Sequence, residues 1–443
     1  MVKNKITYAF FIVLFIIVSV TLYNTDKKYS DLKKDIKNKE ILISDQLLYI
    51  NKNNIDHELA IKKEFKDIAF IKKNELKINI FGQERNFLIY KNDNQFVRGI
   101  NNFFPGSGFL DVYENNLYVV SAVGIIGYKE INSKDKMFFK QIKNNINNFI
   151  TKSQLEKDNW FSIKDLLVFN NKIFISFTNE LKADCWTTSI IYADLNFNEL
   201  NFKFLFNSKD CVKSKNNDDN EFNAHQSGGR IIGINDNIIF STGDFRQRNH
   251  AQSTETTLGK IIKMNIKTLK KNNFTILSLG HRNPQGLLFD KKYNYIISTE
   301  HGPDGGDEIN LNYNPFKNKK NFGWPVSSYG EHYGGKDSKT NKKKYEKYPL
   351  NKSHKEFGFV EPIKYFVPSI GISEIVRIRD NKYLVSSLKD RSIYTFEINN
   401  KKLKNLKRIQ IGERIRDLIF DEERKKAYLF LEDSASIGVI DFE

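Results

Sequence analysis

The sequence is poor in the residues that staple or break a chain, with only two cysteines and eight prolines in 443 residues. No histidine lies between Cys185 and Cys211, so a cysteine-based metal site has no support. In an exported chain the pair would suit one structural disulfide. Long apolar runs are also scarce. The one clear case spans residues 6–23 (ITYAFFIVLFIIVSVTLY), behind Lys3 and Lys5. No A-x-A-like cleavage site follows it, which favours an uncleaved membrane anchor and leaves a cleaved signal peptide as the alternative. With either, the rest of the chain is expected outside the cytoplasm, on the periplasmic face of the inner membrane if anchored and periplasmic or secreted if cleaved. Nucleic-acid motifs are absent too. The formal charge of +17 comes from lysines spread evenly among asparagines, a compositional bias rather than a basic patch, so no nucleic-acid partner is expected.

What the chain has in quantity is aromatic and β-branched residues. With 36 Phe and 20 Tyr, and 40% hydrophobic content, it can bury a large core and favours strands. Residues 1–24 read as the anchor or signal, 25–65 as a charged stalk, and 66–443 as one folded domain. Beyond residue 66 long helical periodicity is missing, apart from a possible short helix near 136–157. Six segments share one pattern: a β run, a polar turn and a second β run ending in small or polar residues. They start at Asp111, Asp165, Gly229, Gln285, Ser373 and Arg416. Repeats of about 40–60 residues made of short strands predict an all-β, six-bladed β-propeller, with strands from 66–95 completing the last blade. The longest interval, after Gln285, holds an insertion over 300–360. Two stacked β-sandwiches are the alternative.

Four prolines (Pro284, Pro303, Pro315, Pro325) fall between Gly280 and Tyr333, mixed with glycines, and specify shaped loops. Those loops carry Arg282, Asn283, Gln285, Glu300, His301, Asp304, Asp307 and Glu308. Polar groups flanking the repeats are expected to meet at one channel mouth: His225, Gln226, Asp244, Arg282, Asn283, Lys389, Arg414 and Arg416. Four cations and several amides at one mouth suit a polyanionic ligand.

The motifs AHQSGGRI, GHRNPQG, EHGPDGGDEINL, NFGWPVSSYG and RIRDLIF together resemble the glucose/sorbosone dehydrogenase family, the soluble quinoprotein glucose and aldose sugar dehydrogenases. The match is dense over 223–333, good at 366–435 and weak before 160. The resemblance implies a six-bladed propeller that binds pyrroloquinoline quinone and Ca²⁺ and oxidises a sugar at C1 to the lactone. It implies His225 as general base, Asp244 as the group orienting it, and Arg282 as cofactor contact and stabiliser of developing negative charge. Gln226, Asn283, Tyr333, Lys389, Arg414 and Arg416 are then further cofactor contacts, three of the cations facing the cofactor's three carboxylates. Gly302 and Pro303 match carbonyl ligands of the cofactor Ca²⁺, and Glu308 and Phe322 a second ligand pair. Phe322 departs from the usual tyrosine, and the segment from Glu308 to Phe322 is longer than the family pattern. Either Gln247 or Gln252 is a candidate cofactor contact. The partners implied are a small-molecule sugar and an external electron acceptor. A propeller serving only recognition, and a metal-dependent propeller lactonase, are the competing readings.

Overall fold

Each of the six repeats folds as a run of antiparallel strands, the first and sixth joined in one ten-stranded sheet, and each predicted start falls within the first strand of its repeat. Those first strands are Gly108–Tyr113, Ile163–Phe169, Gly228–Ile234, Pro284–Asp290, Ile372–Arg379 and Ile415–Asp421. Each packs against the next and the last packs against the first, so they form a closed ring. The structure, a computed structural model, describes residues 68–92, 107–132, 137–158, 160–336 and 339–443, together with Thr25. The apolar run at 6–23 and almost all of the charged stalk lie outside the described residues. Among those described, no helix is long and apolar enough to cross a membrane.

Burial follows position in the ring. Second strands such as Tyr295–Glu300 and Lys382–Ser387 are almost wholly buried, because neighbouring sheets cover both faces. Outer strands such as Lys402–Gln410 (KLKNLKRIQ) are mostly exposed, and their lysines blunt an open edge.

A side chain clamps every junction of the ring to a backbone group. Asp417 Oδ2 accepts from Leu110 N (2.7 Å), Asp111 Oδ2 from Val168 N (2.6 Å) and Asp165 Oδ2 from Ile231 N (2.6 Å). Arg230 Nε donates to the Gln285 carbonyl (3.0 Å), Glu374 Oε1 accepts from Leu287 N (3.0 Å), and Ser373 Oγ donates to the Ile415 carbonyl (2.7 Å).

The N-terminal strands close the circle, as expected from residues 66–95. Gln83–Asn92 pairs antiparallel with Ser436–Asp441 and becomes the fourth strand of the sixth repeat. Ile68–Ile80 pairs with Gln83–Asn92 and, over Ile68–Phe70, with Met137–Asn144. The helix expected near 136–157 is smaller than that range, because Met137–Asn144 pairs as a strand and only Lys152–Lys157 is α-helical. Cys185 and Cys211 are joined in a disulfide.

This topology positions the site. In an antiparallel sheet, residues entering the first strand and residues leaving the second lie at the same end. His225, Arg282, Asn283 and Arg414 precede first strands, whereas Asp244, His301, Lys389 and Glu432 follow second strands. All eight therefore come to one end of the ring.

Candidate active site

At that end an open cleft of about 180 Å³ is lined by His225, Arg282, Asn283, Pro303, Tyr333 and Lys389, with Gln226, His301 and Gly302 also on its wall. A smaller cavity on the channel side is lined by Trp160, Lys164, His225, Arg230 and Arg416, so His225 belongs to both.

His225 is exposed to the cleft, yet its surroundings are dense. Desolvation, followed by Lys164, the His301 ring, Arg282 and Arg246, holds its pKa well below the usual histidine range. The imidazole is thus neutral, solvent-reachable and competent as a base. Its ring packs against Trp160 at 4.9 Å between centroids, and Lys164 Nζ fixes that tryptophan by donating to its carbonyl (2.6 Å).

Asp244 does not supply the orienting contact expected of it. Its carboxylate accepts from Trp324 Nε1 (2.7 Å) and Arg246 N (2.9 Å), and no hydrogen bond to His225 exists among the described residues. The turn after Asp244 explains this: Phe245 and Arg246 both have positive φ, which folds the following amide back onto the carboxylate.

Arg282 and Lys389 line the cleft, and neither makes an ion pair among the described residues. Arg282 Nη1 donates to the His301 carbonyl (3.0 Å), and its guanidinium lies 5.4 Å over the Trp324 ring. Glu300 holds the Arg282 backbone at N (2.8 Å) while bonding Asn310 (2.7 Å) and facing His281 (3.1 Å). Asn283 Oδ1 accepts from Gly228 N (3.1 Å). Arg414 and Arg416 are both held by the buried Glu432, at 2.9 and 2.8 Å, so the trio carries one net positive charge. Arg416 reaches the inner cavity, and neither arginine lines the cleft itself. Tyr333 stands exposed on the wall with Arg246 over its ring at 5.0 Å. Gln247 is turned to Asn217 and the Glu221 carbonyl, and Gln252 to Asn321 and the Trp324 carbonyl. Both glutamines brace loops, and neither lines the cleft.

The residues fit an anionic polar cofactor. Among the described residues two wall residues carry buried polar atoms without a well-formed hydrogen bond, Gln226 Oε1 and His301 Nε2. The Ile372 carbonyl acts on the His301 ring, so Gln226 Oε1 is the clearer case, and such an atom costs roughly 1–3 kcal/mol while unsatisfied. Unpaired Arg282 and Lys389 stand ready for carboxylates. For Ca²⁺, the carbonyls of Gly302 and Pro303 accept no hydrogen bond among the described residues and are hard oxygen donors on the wall. The loop is tight: a Cβ on Gly302 would sit 2.3 Å from two carbonyl oxygens, so only glycine fits. Asp307 shapes it through Gly302 N, Ser369 Oγ, Gly371 N and Ile372 N.

The second expected metal pair does not fit. Glu308 bonds Asn310 (3.2 Å), and its other oxygen faces Nε2 of the buried His354 at 3.3 Å. The Phe322 carbonyl also acts on that imidazole. The insertion folds back far enough to place His354 where a cation would sit.

Sequence reasoning missed Trp160, Lys164, Arg246, His354 and Glu432. Glu432 was within reach, because it directly follows a second strand, the repeat position of His301. Arg246 and Trp160 belong to no motif.

Residues 167–439 match the family described as Glucose / Sorbosone dehydrogenase. Over 211 residues the chain is 29% identical to the aldose sugar dehydrogenase YliI of Escherichia coli (strain K12), covering 43% of this chain and 53% of that protein. The chain thus spans about half the length of that curated relative. A solved glucose dehydrogenase superposes with a TM-score of 0.62 at 20% identity, over 76% of this chain and 97% of that one. The PQQ-bound aldose sugar dehydrogenase of Streptomyces coelicolor gives 0.51 at 15%, over 76% and 99%. Likeness at these identities is one of fold.

Proposed function

Because the chain belongs to the glucose/sorbosone dehydrogenase family, we propose that it is a quinoprotein sugar dehydrogenase on a six-bladed β-propeller, oxidising an aldose or similar polyol at C1 to the lactone. The observation that carries this is the meeting, in one cleft, of a neutral exposed imidazole with two cations that form no ion pair among the described residues and with unsatisfied amide and imidazole atoms.

Bound pyrroloquinoline quinone would supply a carbon electrophile that accepts hydride from the sugar. His225 takes the proton of the anomeric hydroxyl, and its depressed pKa keeps the accepting nitrogen free. Trp160 limits the swing of the ring. Arg282, Lys389 and the net charge of the Arg414–Arg416–Glu432 trio offset the cofactor's carboxylates. Arg282 would also stabilise negative charge developing on the cofactor. Gln226, Asn283 and Tyr333 complete the wall, and the Gly302 and Pro303 carbonyls would hold Ca²⁺. Electrons then pass to an external acceptor.

The disulfide supports an exported protein, since such bonds persist in oxidising compartments. It would sit at the periplasmic face of the inner membrane if residues 6–23 remain as an anchor, and be periplasmic or secreted if they are cleaved. A lactonase needs several free carboxylates around a metal, whereas Glu300 and Asp307 are spent on structural bonds and Asp304 is a single exposed carboxylate on the wall.

Reconstitution with Ca²⁺ and the quinone tests the reading. Reduction of an artificial dye by at least one aldose from a broad panel is expected. Cofactor uptake with no dye reduction across the panel would leave only a recognition module.

A further inference from the structure

Arg246 has no place in the mechanism above and does not itself line the cleft, yet a costly backbone holds it behind Tyr333 of the cleft wall. Phe245 and Arg246 are consecutive non-glycine residues with φ of 51° and 68°, a conformation that persists only where its surroundings enforce it. The fully buried Phe245, packed with Trp186, Phe161 and Leu258, pins the turn, and Asp244 Oδ1 accepts from Arg246 N. The outcome is a guanidinium 5.0 Å over Tyr333, itself on the cleft wall.

That guanidinium lacks a counter-charge. It forms no ion pair among the described residues, and its Nε is buried without a hydrogen-bond partner. Glu221, the carboxylate that acts on it, is already engaged by Arg248 (2.7 Å) and by Lys344. Its neighbours on the cleft side are also positive, and its charge is felt at His225 and Arg282. The cofactor's three carboxylates are matched by Lys389, Arg282 and the single net charge of the Arg414–Arg416–Glu432 trio. Arg246 is then a surplus cation near the base.

Resting on the dehydrogenase reading, we infer that Arg246 is a specificity-determining residue that binds an anionic group on the sugar, so that the substrate is an aldose carrying a carboxylate or a phosphate. The planar fork suits either group, and its contact with the Tyr333 ring holds it beside the cleft wall.

The test is calorimetric titration of the cofactor-loaded protein with D-glucuronate, D-glucose 6-phosphate and D-glucose at low salt. One or both anionic sugars should bind about tenfold tighter than glucose, the scale of one charge-assisted hydrogen bond. The tighter of the two identifies the group, and added salt should shrink the gap. Arg246→Gln should erase the preference, and Arg246→Lys should keep most of it, which separates lost charge from a lost fold. Equal affinities in the wild type, or a preference that survives Arg246→Gln, overturns the inference. Binding is read without turnover, so the two readings fail separately. Anionic preference without dye reduction sinks the dehydrogenase and keeps the anion site. Dye reduction with glucose and no anionic preference does the reverse.

Discussion

His354 Nε2 lies 3.3 Å from Glu308 Oε1, and both side chains are buried. The contact is ionic rather than a well-aligned hydrogen bond, since neither ring nitrogen meets hydrogen-bond geometry. Burial alone would lower the imidazole pKa, but Glu308, with Glu361 and the Phe322 carbonyl, outweighs it and the net shift is upward. A raised folded-state value means that stability from the pair is fully present below the ordinary histidine pKa of about 6.5 and is lost as pH rises through the folded value. His354→Gln should therefore cost stability mainly at low pH, with the gap in urea midpoints narrowing between pH 6 and 9. His354→Ala opens space beside a carboxylate and a carbonyl, and millimolar Ca²⁺ should raise its Tm more than that of the wild type. An equal rise in both would return the metal to Glu308 and Phe322.

The acid limb of the pH profile follows from His225. The limb of kcat/KM reports the base of the free protein, and the depressed pKa of His225 places it well below pH 6.5. Lys164 is the foremost charged neighbour. Burial, with Arg416, lowers its own pKa to about 7, so it is positive in the range where His225 titrates. Lys164→Met should move the limb upward and Lys164→Arg should hold it down. His225→Ala should lower kcat by at least about 100-fold. A limb unmoved by Lys164→Met would remove Lys164 from the set of groups that tune the base.

Arg230 meets Asp165 (2.8 Å), Glu374 (2.5 Å) and Asp417 (2.6 Å), one carboxylate from each of three inner strands. Removing that cation strands three buried acids, and Arg230→Met should cost at least about 3 kcal/mol in urea unfolding. Burial raises Asp165 to about 7 and Glu374 to about 8. Between about pH 4 and 8 the folded chain then holds protons that the unfolded chain has released. The cluster's contribution is full below the ordinary carboxylate range and falls as pH climbs through that window. Glu374→Gln should flatten the dependence, and a wild type equally stable at pH 6 and 9 would contradict it.

The ring was legible because its signal is repeated. Six copies of one pattern, each beginning inside a first strand, expose the period even where single strands are ambiguous. The cleft was legible where roles attach to loop positions in that repeat, as for His225, Arg282 and Lys389. Partners across the ring were not. Asp244 sits at the expected position, but its oxygens go to Trp324 and Arg246 N, a choice made by a left-handed turn at two residues with no glycine to announce it. The lysines of the insertion looked featureless in sequence because their acids, Asp219 and Glu221, lie more than a hundred residues earlier.

The disulfide links stability to catalysis through the segment that ends at His225. Cys185–Cys211 closes a separation of 26 residues, for which loop entropy gives about 3.5 kcal/mol. Trp186 and Val212 exchange backbone hydrogen bonds of 2.8 Å beside it, which pins the start of the segment 211–225. The middle is pinned separately: Asp219 by Lys347 (2.8 Å) and Arg248 (3.5 Å), Glu221 by Arg248 and Lys344. Cys185→Ser with Cys211→Ser should therefore lower the urea midpoint markedly while reducing kcat only a few-fold at low salt. The lysine heads are partly exposed, so salt weakens the second set of ties. In 0.5 M salt the double variant should lose kcat more steeply than the wild type does. Parallel salt dependence in the two proteins would show that the disulfide steadies the sheet alone and not the loop that carries the base.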